Sequence, residues 1–159
     1  MADDMQSLAR KLVGPLMPWI VDRIPIVSGT WTPAFAGTTI AGSFTYAAQL
    51  GRYTRVGNQV IIHAYVQISA IGVAPTGNMQ ITGIPFTSAS VGMDFSLSLG
   101  FVSNVNTSAN VVQLTAIVPL FSAGIGLYEM FDNAAAAAFP AANFTNAAAA
   151  IELSGIYQI

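Results

Sequence analysis

Charge is what this chain has least of. Only 8% of its 159 residues are Asp, Glu, Lys or Arg, against about 25% in an ordinary soluble domain, and beyond Arg23 the only cations are Arg52 and Arg55. Nucleic-acid binding draws its affinity from clustered Lys and Arg that neutralise phosphates, so that partner class is excluded. Cysteine is absent, which removes disulfides, thiolate zinc sites and thiol nucleophiles together. Long apolar runs are missing too. A membrane-spanning helix needs about 20 mainly apolar residues, and the nearest candidate, Leu12 to Val27, is broken by Pro15, Pro18 and Pro25 and charged at Asp22-Arg23. A membrane β-barrel would fit the length, but Met1-Ala2-Asp3-Asp4 opens with acid where an export signal has a basic segment. With 53% hydrophobic residues and so little charge, the expected solution is self-association, because obligate homo-oligomer interfaces are large and apolar.

What is present is the grammar of β-structure. Gly57-Asn58 stands between two strand-like runs, Gly51 to Val56 and Gln59 to Ala70, and this pair of residues suits the two-residue turn of a hairpin. After the turn, Val60, Ile62, Ala64, Val66 and Ile68 alternate with Gln59, Ile61, His63, Tyr65 and Gln67, a period of two that no amphipathic helix shows. Further strands are expected near Ser43 to Tyr46, Asn78 to Thr82, Val91 to Ser103, Val111 to Val118, Gly124 to Phe131 and Ala148 to Gln158. Turn-forming stretches separate them, notably 74–78 and 103–110. Short strands at this spacing indicate a sandwich or barrel, which also protects strand edges in a protein with few charges to guard them.

Two segments stand apart. Near the N-terminus, Asp3 or Asp4 can cap a helix whose apolar residues Met5, Leu8, Leu12 and Leu16 recur every three or four positions, with Gly14-Pro15 ending it. An extended linker, Ile24 to Gly29, follows. Between Asn133 and Ala150 the chain is alanine-rich; alanine favours helix, but Pro140 and Asn143 to Asn146 interrupt it, so a loop with one helical turn is expected.

Gly29-Thr30-Trp31-Thr32-Pro33, Phe44-Thr45-Tyr46, Gly51 to Asn58, Ile81-Thr82-Gly83-Ile84-Pro85-Phe86 and Leu153-Ser154-Gly155-Ile156-Tyr157 occur in an order that carries a resemblance. Together they resemble the markers of a β-domain common at the C-terminal ends of bacteriophage tail fibres, tailspikes and related appendages, similar to the trimeric jelly rolls of the tumour-necrosis-factor type. The resemblance covers residues 28–159 and departs from the pattern in the alanine-rich tract. It implies an all-β jelly-roll sandwich that forms a homotrimer, preceded by the N-terminal helix. Residues 1–27 then serve assembly or attachment, the alternative being a helix that packs on its own domain, and residues 28–159 form the jelly roll.

Catalytic chemistry is thinly supplied. His63 is the only histidine, and its strand-face neighbours Ile61 and Tyr65 point to a packed or interface ring. No G-x-S-x-G elbow is present for a serine hydrolase. Glycan cleavage needs a pair of carboxylates, and Asp94, Glu129, Asp132 and Glu152 are the whole supply in the β-domain; all four are expected to be solvated rim charges. Neither a zinc spacing nor an acidic calcium loop appears, so no catalytic, cofactor or metal residue is assigned. Arg52 and Arg55, on either side of Tyr53, are expected to pair with acids of a neighbouring subunit or to keep an edge soluble. Taken with the resemblance, which implies a virion role, the thin chemistry leads to the expectation of a non-enzymatic virion structural protein: a trimeric fibre or spike tip, or a surface projection, involved in host attachment. Its partners would be its own copies, other virion proteins through the N-terminal segment, and a host surface glycan or protein. The alternatives are an architectural or capsid-decorating particle protein that binds no host molecule, and, more remotely, a glycan-cleaving spike.

Overall fold

In the computed structural model, residues 25–159 are described, and the helix expected from Asp3 to Gly14 lies outside them. Ten strands make one antiparallel sheet: β1 Ile26–Trp31, β2 Ala34–Gly37, β3 Phe44–Val56, β4 Gln59–Ile71, β5 Met79–Thr82, β6 Phe95–Ser103, β7 Val111–Val118, β8 Gly124–Phe131, β9 Ala134–Ala138 and β10 Ala150–Gln158. Their spatial order is β1-β3-β4-β10-β6-β7-β8-β5-β2, with β9 beside β8. Strands β1 and β2 therefore sit at opposite ends of the sheet, although only Thr32-Pro33 separates them in sequence. The sheet must curl until its ends meet.

Side chains rather than ladder bonds close the seam. The Phe35 amide donates to the Tyr46 hydroxyl at 2.9 Å, and the Gln49 amide nitrogen donates to the Pro33 carbonyl at 2.9 Å. Strand β3 bulges on both sides of Tyr46, and such bulges bend a strand and re-aim its side chains. The result is an all-β sandwich in which β2 lies against the first half of β3, while β1 pairs with its second half.

Alternation fills the interior as the pattern of β4 requires. Val60, Ile62, Ala64, Val66 and Ile68 are at most 2% exposed. They pack with Ile151, Leu153 and Tyr157 of β10, Leu97 of β6, Val118 of β7, and Ile125 and Leu127 of β8. Aromatic rings plug one end: Phe144 lies 4.7 Å from Phe35, 6.0 Å from Phe44 and 6.5 Å from Phe139 between ring centres.

Strands β7 and β8 have the bounds expected from the sequence, and the hairpin turns at Gly57-Asn58, with Val56 opposite Gln59. Of the two turn residues only Gly57 has positive φ, at 59°. A Cβ there would sit against the following carbonyl, so Gly57→Ala is expected to cost about 1–2 kcal/mol. A urea titration checks this; an unchanged midpoint would contradict the turn geometry.

Other expectations change. The runs Ser43 to Tyr46 and Gly51 to Val56 join into the single strand β3, and the strand expected from Val91 starts at Phe95. The stretch read as an extended linker enters β1 at Ile26, which pairs with Val56, and β2 had no counterpart among the expected strands. The clearest correction is β9. Ala134–Ala138 is a strand and not a loop, because Asn133 adopts φ 58° and returns the chain along β8, placing Ala134 opposite Phe131 and Ala138 opposite Tyr128. Strand β5 covers only Gly124 to Gly126 on that edge of β8, so the alanines supply hydrogen-bond partners to the remainder. The gain in ladder bonds outweighs alanine's helical preference, which is at most several tenths of a kcal/mol per residue. The expected single helical turn does form, at Ala141–Asn143.

Candidate interaction surface

The odd-numbered residues of β4 from Gln59 to Ser69 face outward, and register carries that face across five strands. Thr30, Arg52, His63, Ser154 and Ser98 form one row over β1, β3, β4, β10 and β6, and all five are exposed. Toward the Gly57 turn, the next row brings Ser28, Thr54, Ile61 and Ile156 together, and the row after it Ile26, Val56, Gln59 and Gln158. On the opposite side lie Leu50, Tyr65, Glu152 and Phe101. Apolar side chains thus flank a polar row: Ile26 is 69%, Leu50 65%, Ile61 45%, Ile156 50% and Phe101 47% exposed.

Within this face the His63 Nε2 and Glu152 Oε1 atoms are 2.9 Å apart, the one ion-pair geometry among the described residues. Glu152 is not directly opposite His63; its cross-strand partner is Tyr65, so the bond runs diagonally. Both side chains stay largely in solvent, 57% and 41% exposed. His63 shares this outward face with Ile61 and Tyr65, as the strand pattern indicates, but its ring is not packed within its own chain.

The two arginines separate. Arg55 turns to the opposite side of β3, where its guanidinium lies 5.3 Å over the Phe86 ring and its Nε donates to the Gly57 carbonyl at 2.8 Å. A cation over an aromatic face is attracted by the ring quadrupole, so Arg55 is engaged within its own chain. Arg52 remains on the exposed row, directly opposite His63.

The four acids do not converge. Asp94 Oδ1 accepts from the Leu120 amide at 3.1 Å, Asp132 is exposed at the β8–β9 turn, and Glu152 belongs to the outward face. Glu129 contradicts the expectation of a solvated rim charge: it is 1% exposed, because β8 points it inward beside Leu127. Its Oε1 accepts from the Ser108 amide at 2.7 Å, and the Ser108 hydroxyl accepts from Asn143 at 2.9 Å. A buried carboxylate needs such donors; this one ties the β6–β7 loop to β8, and the Ser108 hydroxyl ties the same loop to the segment that follows β9. Among the described residues, no group of three or more His, Cys, Asp or Glu side chains comes together.

The clefts formed by the described residues include two shallow ones. One, of about 140 Å³, lies over β5 and β8 and is lined by Asn78, Gln80, Ser122, Gly126 and Tyr128 among others. The other, of about 300 Å³, lies beside the aromatic plug and includes Ile71, Pro75, Ala141, Phe144 and Thr145. The linings of both are uncharged. No helix among the described residues is long and apolar enough to cross a membrane.

No protein family matches the chain by sequence, and no characterised protein is significantly similar to it in sequence. Solved structures do match its fold. The crystal structure of Dettilon tailspike protein superposes with a TM-score of 0.67 at 20% identity over 84% of this chain. The fold is shared with part of a tailspike. Only 24% of the tailspike chain is covered, so the likeness concerns one portion of that larger protein.

Proposed function

We propose that this chain is a structural protein of a bacteriophage tail appendage, a fibre or spike domain of the trimeric tumour-necrosis-factor-like type, that takes part in host attachment. The observation that carries it is the fold shared with a tailspike protein over 84% of this chain. It is supported by the low charge of the sequence and by the apolar outward face, both of which suit a protein that works inside an assembly. Residues 1–27 would connect the domain to the particle or to neighbouring chains. In this reading the role is binding and not catalysis, which the separation of the acids and the loop amide bound to Glu129 support.

Gold-labelled antibody on intact particles, together with competition by the purified chain for phage adsorption, tests this reading. Label at the tail tip and reduced adsorption are expected. Label on the capsid with unaffected adsorption would favour a decorating protein instead. Oligosaccharides released from host capsule or lipopolysaccharide by the pure chain would overturn the non-enzymatic reading.

A further inference from the structure

One face of the sheet exposes a phenylalanine that the alternation of its strand alone would bury. Strand β6 alternates inward at Leu97 and Leu99, so an undisturbed strand would send Phe101 inward as well. A bulge inserts Gly100 between Leu99 and Phe101, opposite the step from Leu153 to Glu152. That single residue flips the parity: Phe101 faces out beside Glu152, and Val102 turns in beside Ile151. Bulges disrupt the ladder and are commonly used to re-aim a side chain. Here the re-aimed side chain is a phenylalanine placed in water at 47% exposure, on the same face as Leu50, Ile61 and Ile156.

The charge of this face fits a second copy, and its size comes near to one partner's share. At about 4.8 Å between strands and 3.3 Å per residue, five strands and four side-chain rows span at most roughly 630 Å² in projection, somewhat below the about 800 Å² that each partner contributes to a stable interface. Its fully charged side chains are one cation, Arg52, and one carboxylate, Glu152, so the face is balanced within itself and complementary to its own charge pattern. His63 holds Oε1 of Glu152 at 2.9 Å; the other oxygen of this partly exposed carboxylate can accept from a guanidinium, which binds carboxylates through a planar fork of donors.

We propose that the outer face of β1, β3, β4, β10 and β6 is the surface through which copies of this chain associate, with Arg52 of one copy set against Glu152 of the next and His63 positioning that carboxylate. This rests on the self-association in the reading above and assigns it to a face and a charge pair.

Sedimentation of the full chain at micromolar concentration is the test, with circular dichroism to verify that each variant folds. The parent chain is expected to be a trimer. Phe101→Glu and Ile61→Asp, both outside the core, should weaken association at least tenfold while leaving the β-spectrum unchanged. Arg52→Glu and Glu152→Arg should each weaken it about tenfold, and the double exchange Arg52→Glu with Glu152→Arg should restore most of the loss. Trimers indifferent to all four single changes would overturn the face while leaving the virion reading intact. Double exchanges no better than the singles would overturn the charge pair. A monomeric parent chain would overturn the self-association in both.

Discussion

Phe144→Ala is expected to destabilise the fold by about 3–5 kcal/mol, the usual cost of truncating a buried aromatic ring. Nothing in its surroundings suggests importance: the residue lies in the alanine-rich tract, just after the turn Ala141–Asn143. In the fold it is 2% exposed and touches the rings of Phe35, Phe44 and Phe139. These rings belong to β2, β3 and the segment after β9, so the cavity left by truncation would open where the two ends of the sheet are brought together. Such a void is refilled only partly, and the loss grows with the volume left behind. Urea unfolding should show a lower midpoint, while Ala142→Ser, at an exposed neighbour, should leave it within about 0.5 kcal/mol. Similar midpoints for the two variants would mean that the tract does not plug the core.

Tyr157→Phe should come next in severity, with a pH signature of its own. The Tyr157 ring is fully buried. Its hydroxyl donates to the Phe86 carbonyl at 3.0 Å and accepts from the Phe86 amide at 3.3 Å, so one oxygen satisfies both backbone groups of a residue outside the strands. Removing it leaves those groups unpaired, at about 1–3 kcal/mol for each one shielded from water. Burial pushes the phenol up to about 12, partly offset by the bond to Phe86, whereas an unfolded tyrosine titrates near 10. The folded state therefore holds this proton more tightly than the unfolded chain. Its contribution is constant below about pH 10 and is lost as pH rises from 10 towards 12. The Phe variant should be less stable at neutral pH and should lose less stability between pH 10 and 12. A residual alkaline loss is expected from Tyr46, whose phenol is also raised by desolvation. Thermal melts at pH 8, 10 and 11.5 provide the comparison; parallel losses in parent and variant would contradict a buried, protonated Tyr157.

Several elements of the fold were legible because they depend on short-range rules. The alternation from Val60 to Ile68 makes one side of β4 core and the other surface whatever its partners are. A glycine at the turn of the hairpin satisfies a backbone requirement that is local by nature, and β7 and β8 occupy the expected residues for the same reason. That Ile61, His63 and Tyr65 share one strand face was equally readable; that the face lies open in the single chain was not. Nor was the partner of His63, because Glu152 stands 89 residues away and is delivered only by the pairing of β10 with β4.

The sequence by itself determined that this chain is β-structured, nearly devoid of charge and free of cysteine, since composition and a period of two are properties of neighbours along the chain. Only the tertiary structure decided the rest. Alanines with a helical preference became β9 because β8 had an unpaired edge. Glu129, at a position read as a rim, went into the core because the parity of β8 places it beside Leu127. Phe101 went to the surface because one bulge reversed the alternation of β6. In each case long-range strand pairing sets the register, and a register shift of one residue exchanges inside for outside.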